Sequence, residues 1–197
     1  MRWMSGWALA ALLVLGGCAN MRLIESDVSS HSQWPADQRP GSFRFERLPS
    51  QQAQAAQQEA IEAAALPALQ KAGFTLAAAD ASPQYVIQVA SRLTRFERAP
   101  WDDPWPWGWN TGFFYGGRAY RGASVGLSFY APQPYYVQDV SVLIRDARTQ
   151  QVLYETSARH DGRWADEAVR GTLFEAAMRD FPQPAISPRR VRIEIPR

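Results

Sequence analysis

Gln84–Phe96 reads QYVIQVASRLTRF. Within it Tyr85, Ile87, Val89, Ser91 and Leu93 alternate with Val86, Gln88, Ala90, Arg92 and Thr94. Successive side chains of a strand point to opposite faces, so a period of two marks a strand with one strongly apolar face and one mixed face. Such a strand needs partners on both edges and a cover over its apolar face, and the chain around it supplies candidates for both.

Val137–Asp146 and Gln151–Arg159 read as a hairpin. Val140, Val142 and Ile144 alternate inward on the first arm, Val152 and Tyr154 serve the second, and Asp146–Gln150 supplies turn-forming polar residues. Gly41–Leu48 places Phe43 and Phe45 on one side and Arg44 and Glu46 on the other. Val191, Ile193 and Ile195 alternate with Arg190, Arg192 and Glu194, which suits a short closing strand or a tail. A weaker alternation of Ile24, Ser26 and Val28 can form a first strand within an otherwise polar lead-in from Asn20 to Arg39.

Two helices are expected. Ser50–Ala72 is rich in Ala, Gln and Glu, with Ser50 as N-cap and Gly73 just past the end. Ile61, Ala64, Ala65, Ala68, Leu69 and Ala72 mark its buried face, and Pro67 predicts a kink or split near Ala63. Asp166 opens a second helix with Val169, Leu173, Ala176, Ala177 and Phe181 as its stripe, stopped by Pro182 and Pro184. Hairpin-type strands with two helices predict an α+β fold, an antiparallel or mixed β-sheet with two helices packed on one face.

The stretch 99–134 differs in kind. Half of the aromatic residues lie between Trp101 and Tyr136, interleaved with Pro104, Pro106, Gly108, Gly112, Gly116 and Gly117. It predicts a long aromatic Gly/Pro-rich insertion, irregular apart from a strand near Ser124–Tyr130. Trp105, Trp107, Trp109 and Tyr115 are the candidate partner-binding residues, because such rings stack on sugars and concentrate at protein interfaces. Three readings stay open for them: contact with a partner or ligand, internal packing, and contact with a membrane surface.

The first twenty residues read as a leader. Arg2 precedes the mostly apolar Trp7–Leu15, and Leu15, Gly16, Gly17 and Cys18 close it. This is a secretory signal, too short for a spanning helix. Cys18 is the only cysteine and sits where a lipoprotein signal places its lipidated residue. The expected division is a signal peptide at 1–17, then a lipidated N-terminus, tether and first strand at 18–40. A single α+β domain with its insertion follows at 41–197. Several acyl chains would make a stable anchor, about 0.8 kcal/mol per buried methylene. Ala19 follows Cys18 where an Asp would favour the inner membrane, which points to the outer membrane, periplasmic face.

The net charge is +2, and loss of Arg2 with the leader would leave +1. That balance gives no electrostatic case for nucleic acid. His160 lies beside Asp161, but neighbours on a strand face opposite ways, and no nucleophile motif accompanies them. One cysteine and two scattered histidines, His31 and His160, give zinc little support. Asp102 and Asp103 sit among tryptophans as sugar-cleaving acids do, yet adjacent loop residues do not define a catalytic pair. No catalytic residue, cofactor or metal is therefore expected.

The chain resembles domain-of-unknown-function family 4136, found in proteobacterial envelope lipoproteins. The resemblance rests on Cys18, on Leu69-Gln70-Lys71-Ala72-Gly73-Phe74, on Ile144–Tyr154 (IRDARTQQVLY) and on the Gly- and Trp-rich stretch before it, in that order. It departs from the family at Tyr154, where a tryptophan would be expected. It covers roughly Leu23–Phe181. It implies a bacterial envelope lipoprotein with no known enzymatic activity. Joined to the reading of Ala19 and of the aromatic insertion, the expected function is a non-enzymatic outer-membrane lipoprotein that presents its domain to an envelope protein or glycan. The alternatives are an envelope glycan hydrolase and a structural, stress-related lipoprotein.

Overall fold

The computed structural model describes residues 21–97, 107–116, 120–129, 134–184 and 186–196, with backbone alone for 107–116 and 120–129. The strands are β1 (Met21–Ser32), β2 (Ser42–Phe45), β3 (Thr75–Leu76), β4 (Tyr85–Phe96), β5 (Trp107–Gly116), β6 (Tyr120–Phe129), β7 (Tyr135–Asp146), β8 (Val152–Gly162) and β9 (Arg189–Pro196). The helices are α1 (Pro49–Gln52), α2 (Ala55–Lys71) and α3 (Glu167–Met178).

Seven strands form one mixed sheet in the order β3-β2-β4-β7-β8-β1-β9. β2 runs parallel to β3 and β4, and every other pair is antiparallel. The fold is α+β, with α2 and α3 on one face. The register explains why that face is dry. Ile87 opposes Ile144 and Val89 opposes Val142. Val142 and Val140 in turn oppose Thr156 and Ala158, and Val28 opposes Ala158 from the far side. All are buried, together with Leu69 of α2 and Val169, Leu173, Phe174 and Ala177 of α3. The opposite face carries Ser157, Arg159, Asp27 and Arg190 into solvent.

The last helix follows its expected pattern from Asp166 to Ala177 but ends at Met178, so Phe181 lies beyond it and not on its stripe. Asp166 caps it, accepting from the Val169 N–H at 3.1 Å. The first helical stretch differs from expectation. It is broken at Gln54 (φ −119°, ψ 48°), and its first turn begins at Pro49 after Leu48, so Ser50 is not the N-cap. The break has a purpose in the sheet. β2 pairs with β4 only as far as Ile87, which leaves the Val89 carbonyl without a strand partner on that side. Gln51 of α1 and Gln58 of α2 both donate to it, at 2.9 and 3.1 Å. Pro67 neither splits nor ends α2. Its missing N–H would have served Ala63, and both residues are exposed, where water can satisfy the carbonyl. Gln58 and Glu62 also lie on the buried stripe. Glu62 accepts two bonds from the Arg47 guanidinium at 2.7 Å each, which is what makes a buried carboxylate tolerable.

Two strand details also depart from expectation. The lead-in forms a twelve-residue strand between β8 and β9, with Ile24, Ser26 and Val28 buried. On β8 the register shifts between Ile144 and Arg145, so Arg145 opposes Val152. This bulge leaves Val152 exposed and turns Leu153 and Tyr154 inward.

Candidate functional site

β4 ends at Phe96 and β7 begins opposite it at Tyr135. The segment between them is the aromatic insertion, so both of its ends leave from one end of the sheet. Against the expectation from sequence, its described residues 107–116 and 120–129 are paired rather than irregular. β5 and β6 pair antiparallel over ten residues each, from Trp107 opposite Phe129 to Gly116 opposite Tyr120. The register sorts the composition. Trp107, Trp109, Thr111, Phe113 and Tyr115 have one parity and pair with Phe129, Leu127, Val125, Ala123 and Arg121. Gly108, Asn110, Gly112, Phe114 and Gly116 have the other parity and pair with Ser128, Gly126, Ser124, Gly122 and Tyr120. Three of the four ring candidates, Trp107, Trp109 and Tyr115, thus hold positions of the same parity on β5. Trp105, Cys18, Asp102 and Asp103 lie outside the described residues.

The sheet end from which the hairpin departs carries features that sequence reasoning missed. Tyr135 and Val137 are 3% and 7% exposed although their parity is that of the outer face. The Tyr135 hydroxyl donates to the Asp161 carboxylate. Burial first, then this bond and the negative charge of Asp161, push the phenol up to about 12. At the start of β1, Arg22 donates from Nη1 to Asp166 Oδ2 at 2.5 Å and stands 5.2 Å over the Trp164 ring. Met21, Leu23, Leu93, Phe96 and Trp164 are exposed around this end. The available signal was the pairing pattern itself: only register shows that residues this far apart in sequence share one end.

His160 and Asp161 are not a catalytic pair. His160 faces inward, its Nδ1 2.6 Å from the Glu25 carbonyl, whereas Asp161 faces outward to Tyr135. His31 is far from both along β1 and opposes Glu155. Beside it lies an open groove of about 670 Å³ lined by Ser30, Ser32, Trp34, Glu155 and Ser187. Among the described residues, no group of three His, Cys, Asp or Glu could hold a metal ion, and no helix is long and apolar enough to cross a membrane.

A PDZ domain protein from Parabacteroides distasonis shares the fold at TM-score 0.50 and 13% identity. The match covers 96% of this chain and 42% of that one, so the chain spans less than half of that protein's length. PelC of Paraburkholderia phytofirmans, solved as a dodecamer, aligns at TM-score 0.40 and 15% identity over 78% of this chain and 94% of its own. No curated protein matches the sequence. The model of a domain of unknown function, DUF4136, matches residues 27–183, from the middle of β1 to just past α3. With the helix-covered sheet inside that match, apart from β9 and the first half of β1, the chain belongs to the DUF4136 family.

Proposed function

We propose that this protein is a non-enzymatic lipoprotein, anchored through Cys18 to the periplasmic face of the outer membrane, whose aromatic hairpin meets an envelope protein or glycan. The observation that carries the reading is the hairpin's attachment. A ten-residue antiparallel pair with a Trp- and Tyr-rich parity hangs from one end of a sheet that already has its helical cover. Rings of this kind give large contact area at low entropic cost, and they dominate binding energy where they are buried by a partner. The leader supports the anchor, since its apolar core ends in small residues directly before the single cysteine.

The test is a pull-down of cell-envelope material by the lipidated protein and by a variant with Trp105, Trp107 and Trp109 changed to alanine. Loss of the captured component in the variant supports the reading. Equal capture by both proteins refutes the hairpin as the binding element. Labelled palmitate on the wild type and none on Cys18→Ser tests the anchor independently.

A further inference from the structure

We propose that the end of the sheet bearing the start of β1 rests on the bilayer, with Met21, Leu23, Leu93, Phe96 and Trp164 as its contact rim. The inference rests on the lipoprotein reading above and says which way the head then faces. It starts from topology. β4 and β8 reach this end at their C-termini, and β1 and β7 start there, because Phe96 opposes Tyr135, Tyr136 opposes Gly162, and β1 runs antiparallel to β8. β4 and β1 are separated by only β7 and β8. Three strand spacings amount to about 14 Å, so these residues share one narrow edge.

Exposure marks the same edge. Met21 is 50% exposed, Leu23 53%, Leu93 50%, Phe96 46% and Trp164 48%. Among the described residues, the other exposed large apolar side chains are Leu48, Leu76, Val152 and Ile186, with Leu76 and Val152 at the opposite end, and none of the four is aromatic. The edge also carries the chemistry of a lipid–water boundary. Trp164 presents its ring beneath the Arg22 guanidinium, and Arg92 and Arg95 are exposed beside Leu93. Tryptophan and arginine gather at that boundary because one part of each is apolar and the other is wet or charged.

The tether selects the occupant. Cys18 precedes Met21 by three residues. Three extended residues span at most about 11 Å. A lipidated Cys18 therefore holds the start of β1 within that distance of the membrane, too close for an ordinary protein domain to sit between.

Single cysteines placed at Leu93 and Phe96, and for contrast at Leu76 and Val152, are labelled with an environment-sensitive fluorophore in the full lipidated chain. Cys18 is blocked as a thioether in that chain. The protein is reconstituted in phosphatidylethanolamine–phosphatidylglycerol vesicles containing nitroxide-labelled lipid. Several-fold stronger quenching at 93 and 96 than at 76 and 152 is the expected result. Equal quenching at both ends, or stronger quenching at 76 and 152, overturns the inference. Mass spectrometry of the same sample separates the two failures. Lipid on Cys18 with unquenched rim positions refutes the rim alone. A chain without lipid at Cys18 refutes the anchor, and the rim inference falls with it.

Discussion

Arg22 and Asp166 join the first strand to the last helix: Nη1 donates to Oδ2 at 2.5 Å, with Arg22 9% exposed and Asp166 48%. The same carboxylate caps α3 through the Val169 N–H, so one side chain closes a helix end and neutralises a nearly buried cation.

Asp166→Ala removes both roles. The lost cap costs about 1 kcal/mol, and stranding Arg22 adds to it, for a total of about 2 kcal/mol once the exposure of Asp166 is allowed for. Asp166→Asn keeps an oxygen for the cap and loses the charge, so it costs less. The Arg22 bond, ahead of the backbone bonds, holds the Asp166 carboxyl below its ordinary 3.8. A depressed folded value means the stabilisation is present above the ordinary carboxylate range and fades as pH falls through the folded value. The gap between wild type and Asp166→Asn in urea unfolding should therefore be open at neutral pH and close on acidification below about pH 4.

Tyr135→Phe probes the opposite side of the titration range. The wild-type phenol is raised from 10.0 to about 12 by burial and by Asp161. A raised folded value means stability that is complete below pH 10 and is lost as pH climbs toward 12, because the unfolded chain ionises first. At pH 7 the variant should be about 1 kcal/mol less stable for the lost hydrogen bond. Above pH 10 the wild type should lose stability faster than the variant, so that their denaturation midpoints converge.

Gly73→Ala tests the end of α2. Gly73 has φ +96°, its N–H donates to the Gln70 carbonyl at 2.9 Å, and the Phe74 N–H donates to Leu69 at 3.1 Å. This pair of bonds needs a left-handed residue at that point. An added Cβ would meet Pro40 at 3.4 Å, so the cost is mainly conformational, about 1–2 kcal/mol. A thermal scan should show a lower midpoint with the helix content unchanged.

Much of this architecture was legible in the sequence. Alternation in Gln84–Phe96 and Val137–Asp146 gave the central strands, because a half-buried sheet forces period two on its residues. Asp166 and Gly73 marked two helix ends because each satisfies a specific backbone need. Other features were hidden for equally physical reasons. The parity of β5 was masked by its glycines, which read as turns one at a time but, in pairing, stand opposite Ser128, Ser124 and Tyr120. Gln58 and Glu62 looked like solvent residues, and only the Val89 carbonyl and Arg47 make their burial acceptable. Val152 was turned outward by a bulge that no local signal announces.

The sequence alone determined the long strands of the main sheet, the last helix and the class of fold, since their alternation and end signals are written within a few residues. The tertiary structure decided what shares an end of the sheet. Hydrogen-bonded register, a long-range property, set Phe96 against Tyr135 and brought the start of β1 to the same edge. Neighbours in the chain, His160 and Asp161, were sent to opposite faces by the pleat.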